Sequence, residues 1–100
     1  MKVAAIQADL VWENKAANLS KFEHFFERLA SGTQLVFLPE MFSSGFTMQS
    51  EKMAETDDGD TVNWMCQMAQ KYNLAITGSI IIKENNQYFN RLFFVSPNGV

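Results

Sequence analysis

Short apolar runs and one amphipathic repeat divide the first part of the chain into a strand, a helix and a second strand. The run 3–6 is almost unbroken, which is typical of a strand covered on both faces. Over residues 14–30 the apolar positions recur at helical spacing, with Asn14 as the N-cap and Gly32 as the stop. Residues 35–38 predict a second buried strand, which Pro39 ends because proline has no N–H to donate to a sheet.

The pattern of the second part predicts a loop, a helix and a hairpin. Residues 40–59 are too apolar for a solvated linker, so we expect part of this loop to cover a cavity. A helix follows over residues 60–72, with Asp60 as its cap. Residues 74–82 and 88–96 read as strands, and the polar segment between them predicts an antiparallel hairpin. The predicted order is β-α-β-loop-α-β-β, an α/β fold.

The second helix has apolar side chains on two sides. Its main stripe consists of Val62, Met65, Cys66, Ala69 and Tyr72, whereas Trp64 and Met68 point away from it. We therefore expect Trp64 and Met68 to contact a second element, either a further part of the domain or a second subunit.

The chain closes on a turn signal. In the segment 96–99, Pro97 presets the second turn position and Gly99 can take a positive φ. Such a turn should lead into another strand, yet the sequence stops at Val100. We expect residues 1–100 to be the N-terminal portion of a single larger domain, truncated at a hairpin turn.

Composition excludes several classes of protein. The 100 residues are 47% hydrophobic and 19% charged, which is ordinary for a globular chain. A net charge of −3 without a basic stripe argues against nucleic acid as a partner. No apolar run approaches the roughly 18 residues of a membrane span, and no secretory signal is visible. The lone Cys66 excludes an internal disulfide and a cysteine-rich zinc site. We expect a soluble, cytoplasmic protein with no membrane partner.

Glu40 is the leading candidate for chemistry. It lies just beyond the carboxyl end of a buried strand, where α/β sheets collect their ligands. Between Leu38 and the apolar pair Met41 and Phe42 its carboxylate should be partly desolvated, which raises its proton affinity toward the range of a general base. The alternative is a loop glutamate in a surface ion pair.

Other polar or reactive residues favour structural interpretations. Cys66 lies on the core-facing stripe of a helix and should act as a small hydrophobe, not a nucleophile. His24 falls on a charged, solvated helix face. The acidic segment 55–60 suits the positive N-terminus of the following helix better than a metal site. Gly78, inside a strand, predicts a bulge or a close backbone approach.

Several motifs, in the same order along the chain, resemble the nitrilase, or carbon–nitrogen hydrolase, superfamily. The run LPEMFSSGF is similar to the omega-amidase branch, whose members hydrolyse 2-oxoglutaramate and related ω-amides. The resemblance spans all 100 residues and is carried by the motifs MKVAAIQ at 1–7, VFLPE at 36–40, LPEMFSSGF at 38–46, VNWM at 62–65, NRL at 90–92 and SPNG at 96–99.

The resemblance implies an α-β-β-α sandwich and a Glu-Lys-Cys catalytic set. Glu40 matches the general base, which takes the proton of a cysteine thiol so that sulfur attacks an amide and forms a thioester. The matching lysine and cysteine are expected beyond Val100, so the 100 residues alone should be inactive. The implied substrate is a small ω-amide of an α-keto acid, and neither a metal nor an organic cofactor is implied.

Three side chains and two rival functions remain open at this point. Phe42 and Phe46 either line the substrate pocket or pack within the loop. Arg91 either pairs with a substrate carboxylate or forms a structural salt bridge. The rival functions are another amidase, nitrilase or carbamoylase of the superfamily, and a non-catalytic α/β binding or assembly module. We expect the full-length protein to be a homo-oligomer, namely a dimer.

Overall fold

The computed structural model describes residues 1–45, 53–56 and 58–100. Their regular elements follow the predicted order, and the α/β fold class is confirmed. In chain order they are β1 (Val3–Ala5), α1 (Lys15–Glu27), β2 (Leu35–Phe37), α2 (Asp60–Tyr72), β3 (Ala75–Glu84) and β4 (Gln87–Val95).

The four strands form one sheet in the order β1-β2-β3-β4. β1 pairs with β2 and β2 with β3 in parallel, whereas β3 and β4 are antiparallel. The predicted hairpin is confirmed, but its strands run on to a tight turn at Asn85 and Asn86. Both residues have positive φ, 51° and 60°, as a two-residue turn that matches the strand twist requires.

The helices cover one face of the sheet. Ala4, Val36, Ile76 and Val95 are aligned in register across the four strands, and the last three are completely buried. They belong to the core together with Phe22 and Phe26 of α1 and with Met65, Met68 and Ala69 of α2. Alternate strand residues point to the opposite face, as the pleat dictates.

That opposite face is apolar and open in this chain. Its exposed large side chains include Val3, Phe37, Leu92 and Phe94, and Leu92 has a relative exposure of 71%. The sheet therefore has one face packed on helices and one apolar face available to a further layer.

Trp64 and Met68 are buried within the chain itself. The Trp64 ring packs 5.9 Å from the ring centroids of both Phe26 and Phe42, and both side chains belong to the core. The apolar side chains on the second side of α2 are covered, as expected, but by α1 and by the segment after β2. These two side chains therefore need neither a further part of the domain nor a second subunit to cover them.

The prediction that Asp60 caps α2 is wrong. Gly59 occupies the N-cap position without a side-chain bond, and Asp60 is the first helical residue. The carboxylate of Glu55 acts as the cap instead, because it accepts hydrogen bonds from the Thr61 N–H, at 2.8 Å, and from the Thr61 hydroxyl. Glu55 also pairs with Lys15 at 3.1 Å.

Within the described residues, no helix combines the length and the apolar character that crossing a bilayer demands.

Candidate active site

Glu40 lies at the carboxyl ends of the parallel strands β1 and β2. The Ile6 N–H donates to the Phe37 carbonyl at 2.9 Å, and the Leu38 N–H donates to the Thr77 carbonyl at 2.8 Å. Sheet hydrogen bonding therefore continues to Leu38, the residue before Pro39. An open cleft of about 370 Å³ occupies this edge and is lined by residues 5–8 and 37–39. Glu40 directly follows the last lining residue. This is the position at which α/β sheets place ligands.

The segment that carries Glu40 is a compact turn, residues 40–45. The Met41 carbonyl accepts hydrogen bonds from the N–H groups of Ser44, at 3.2 Å, and Gly45, at 2.7 Å. Met41 adopts the left-handed conformation with φ 49°, and Gly45 has φ 72°, which glycine adopts without steric cost. Gly45 thus serves the backbone bend that closes the turn.

Three neighbouring segments bond to this turn. The Met41 N–H donates to the Ser79 hydroxyl oxygen of β3 at 3.0 Å. The Asn18 side-chain amide of α1 donates to the Ser43 carbonyl at 2.8 Å. The Glu13 N–H, between β1 and α1, donates to the Ser44 carbonyl, also at 2.8 Å. The backbone around Glu40 is therefore bonded to both secondary-structure layers.

Phe42 fixes the turn to the core. Its side chain is completely buried, and its ring meets Phe22 edge-on, 5.7 Å between centroids. A Cβ on Gly78 would lie 3.0 Å from the Phe42 ring, so the predicted close approach at Gly78 is confirmed. The contacts of Phe42 are those of loop packing and not of a pocket wall, because the ring has no exposed surface. Phe46 lies outside the described residues.

Glu40 is exposed in this chain. The expected partial desolvation by its apolar neighbours is therefore wrong for these 100 residues. Leu38 and Phe42, two residues before and after it, are buried in the core, whereas Glu40 itself remains exposed. The result is a carboxylate free to meet a reactant on a backbone that is held in place.

Comparison with known proteins identifies the family. A model of the family described as carbon–nitrogen hydrolase matches residues 2–100. The chain belongs to the carbon–nitrogen hydrolase family. It is 37% identical over 99 residues to omega-amidase YafV of Escherichia coli K12, and 22% identical to 2-oxoglutaramate amidase of Bacillus subtilis. These alignments cover 99% and 97% of this chain but only 38% of each relative.

The solved structures agree with this assignment. The crystal structure of XC1258 from Xanthomonas campestris is that of a CN-hydrolase superfamily protein with an arsenic adduct in the active site. It superposes with a TM-score of 0.88 at 37% identity, over 95% of this chain and 36% of that one. The nitrilase-superfamily fold that the sequence motifs imply is thus confirmed.

The other residues considered from sequence have contacts of their own. Arg91 pairs with Glu84 at 2.5 Å and lies 5.7 Å from the Phe89 ring centroid, which is the structural alternative. Cys66 is half-buried and packs against the core. His24 is exposed, 3.7 Å from Glu27.

Asn18 and Ser79 bond to the turn that carries Glu40, and sequence reasoning missed both. Asn18 has no exposed surface and Ser79 has a relative exposure of 5%. A signal for Asn18 was available, because it precedes the buried Phe22 and Phe26 at intervals of four and so lies on the buried stripe of α1. A buried polar residue in such a stripe must find hydrogen-bond partners. For Ser79, in a strand buried along most of its length, no comparable signal exists.

Proposed function

We propose that the full-length protein carrying this chain is an amidase that hydrolyses the ω-amide of a small α-keto acid, such as 2-oxoglutaramate, to the carboxylate and ammonia. The observation that carries the proposal is the placement of Glu40. Glu40 comes directly after the residues that line the cleft at the carboxyl ends of β1 and β2. The chain that carries it is 37% identical to an omega-amidase over 99 residues.

In the proposed reaction Glu40 is the general base. Its carboxylate takes the proton of a cysteine thiol, and the thiolate attacks the amide carbonyl to give a tetrahedral oxyanion. A lysine and a backbone N–H stabilise that oxyanion. The carbon–nitrogen bond then breaks, the nitrogen leaves with the transferred proton as ammonia, and a thioester remains. Glu40 next takes a proton from water, whose oxygen attacks the thioester. The carbon–sulfur bond breaks, Glu40 returns the proton to the leaving sulfur, and the acid is released as the carboxylate with its proton passing to solvent.

Of the groups in the proposed reaction, Glu40 is the one that lies within the described residues. Cys66 is held within α2 against the core, which supports a different cysteine as the nucleophile. We propose that this cysteine and the lysine lie beyond residue 100. No metal or organic cofactor enters the proposed chemistry, because a thiol and a protein base complete it. Phe46 remains proposed as a pocket residue, whereas Phe42 shapes the site through the turn. The dimeric assembly and the cytoplasmic location stay predictions.

The substrate class is tested with the full-length protein and a panel of carbon–nitrogen compounds. Ammonia release is measured from 2-oxoglutaramate, an aliphatic amide, an N-carbamoyl amino acid and an aliphatic nitrile. The proposal expects the highest kcat/KM for 2-oxoglutaramate. A preference for the carbamoyl compound or the nitrile would move the protein to another branch of the family, and no turnover of any compound would support a non-catalytic module.

The role of Glu40 is tested by Glu40→Gln, which keeps the size of the side chain and removes the base. We expect kcat to fall by about 100-fold or more, the usual contribution of general base catalysis. Glu27→Gln is the matched control, since Glu27 is an exposed glutamate at the end of α1 and its substitution should leave kcat unchanged. Parental turnover by the Glu40→Gln variant would contradict the mechanism.

A further inference from the structure

Asn18 occupies an unusual place for a primary amide. Its side chain is polar but has no exposed surface, and it lies on the same stripe of α1 as the core residues Phe22 and Phe26. Burying an amide is unfavourable unless its hydrogen bonds are made. An apolar residue would continue the stripe without that cost. The hydrogen-bond partners of the amide should therefore explain why an asparagine occupies this position.

The hydrogen bonds of the Asn18 side chain join two loops. Its Oδ1 accepts from the Val11 N–H at 2.7 Å, and its Nδ2 donates to the Val11 carbonyl and to the Ser43 carbonyl, each at 2.8 Å. Both donors and the acceptor are thus used on backbone groups outside α1. Val11 lies in the segment after β1, and Ser43 lies three residues after Glu40. One side chain therefore connects two segments that follow the carboxyl ends of β1 and β2.

Ser79 holds the other side of the same turn. Its hydroxyl oxygen accepts the N–H of Met41, the residue that directly follows Glu40 and has φ 49°. Ser79 is itself part of the long strand β3, paired with Leu92 of β4. This hydrogen bond fixes the peptide unit that joins Glu40 to Met41.

We infer that Asn18 and Ser79 are positioning residues for Glu40, an inference that rests on the proposed function. Together they attach the turn on both sides of its central Phe42, to α1 and to β3, so that an exposed carboxylate keeps a defined position. Such precision matters because a catalytic group displaced by about 1 Å loses rate by about 100-fold. The hydrogen bonds by which both residues hold the turn end on its backbone, at the Ser43 carbonyl and the Met41 N–H. Both residues act through the backbone of the turn.

The test uses the full-length protein and the amide that it hydrolyses fastest. Asn18→Leu and Ser79→Ala are expected to lower kcat by about 10- to 100-fold while KM stays within about 3-fold, the pattern of an interaction needed only in the transition state. Ser79→Thr, which keeps the hydroxyl on a strand residue, should restore most of the kcat lost in Ser79→Ala.

Asn14→Ala is the matched control on the same helix. The Asn14 side chain accepts the Ala17 N–H at 3.0 Å and caps α1, and this hydrogen bond does not involve the turn. This variant should lower the unfolding midpoint and leave kcat unchanged. Folding of every variant is checked by circular dichroism and by the unfolding midpoint. If Asn18→Leu does not fold, the Ser79→Ala and Ser79→Thr pair decides.

The outcomes distinguish failure of the positioning role from failure of the proposed function. Folded Asn18→Leu and Ser79→Ala variants with parental kcat, alongside an inactive Glu40→Gln variant, would overturn the positioning role and leave the proposed function standing. A loss of kcat in Asn14→Ala equal to that in Asn18→Leu would also overturn it, since general weakening of α1 would then explain the effect. Parental activity of Glu40→Gln would overturn both.

Discussion

Gly78 lies where the sheet closely approaches the turn that carries Glu40. A Cβ built at this position would be 3.0 Å from the Phe42 ring and 3.1 Å from the Cβ of Leu38. Both neighbours are buried in the core, so either would have to shift against its own packing to make room. Because Gly78 has no Cβ, the Phe42 ring can pack into the core. This packing in turn sets the path of the backbone at Glu40.

Gly78→Ala is expected to destabilise the full-length protein by about 1–3 kcal/mol, the usual cost of forcing an extra methyl group into a packed core. The free energy of unfolding is measured in urea. Adding Phe42→Leu to the variant shortens the opposing side chain, so the double variant should lose less stability than the sum of the two single losses. Strict additivity would contradict the proposed clash.

The N-terminus of α2 shows how two helices are joined at the level of elements. Glu55 bonds Thr61 in the first turn of α2, and its carboxylate pairs with Lys15, the first residue of α1. Its backbone also bonds to the edge of β3, through the Ile81 carbonyl and the Lys83 N–H. One residue therefore connects both helices and the sheet, while Asp60 places a negative charge in the first turn of α2.

Glu55→Ala is expected to cost about 1–2 kcal/mol of stability, in the range of a lost N-cap. Asp60→Ala removes a carboxylate from the same helix turn and should cost only about 0.5 kcal/mol, the value of an exposed charge near the helix dipole. Both are measured as free energies of unfolding by urea. A larger loss for Asp60→Ala than for Glu55→Ala would restore Asp60 as the cap.

At the scale of the whole molecule, the sheet is covered on one face only. Leu92 and Phe94 of β4 have relative exposures of 71% and 58%, and Val3 and Phe37 extend the same apolar face to β1 and β2. Contiguous apolar surfaces of this kind mark interaction sites. The chain spans 38% of the length of the relatives described above. We expect the second sheet of an α-β-β-α sandwich to cover this face in the full-length protein.

Leu92→Lys tests that expectation in the full-length protein. If the face is covered, the variant should lose at least about 2 kcal/mol of stability, since the burial of a leucine side chain is lost and a charge is placed in an apolar layer. Gln87→Lys, an exposed position of the same strand, is the control and should be neutral. Equal unfolding free energies for the two variants would mean that Leu92 stays in water.

Local patterns in the sequence determined the elements and the position of Glu40. Hydrophobic periodicity gave α1, α2 and the strands, because burial of one face repeats at the period of each structure. Pro39 and the polar segment 83–87 marked where strands stop or turn. α1 ends at Glu27 rather than near residue 30, since helix ends depend on which terminal carbonyls find partners. The placement of Glu40 after β2 followed from the order of residues alone.

Tertiary structure decided how that glutamate is held and what surrounds it. The hydrogen bonds from Asn18 to Ser43 and from Met41 to Ser79 join residues 25 and 38 positions apart, a separation that no local pattern encodes. The capping role of Glu55, the burial of Trp64 and the packing of Phe42 against Gly78 likewise arise only when distant segments meet. Periodicity specifies which side of an element is buried, whereas partners depend on the packing of all elements together.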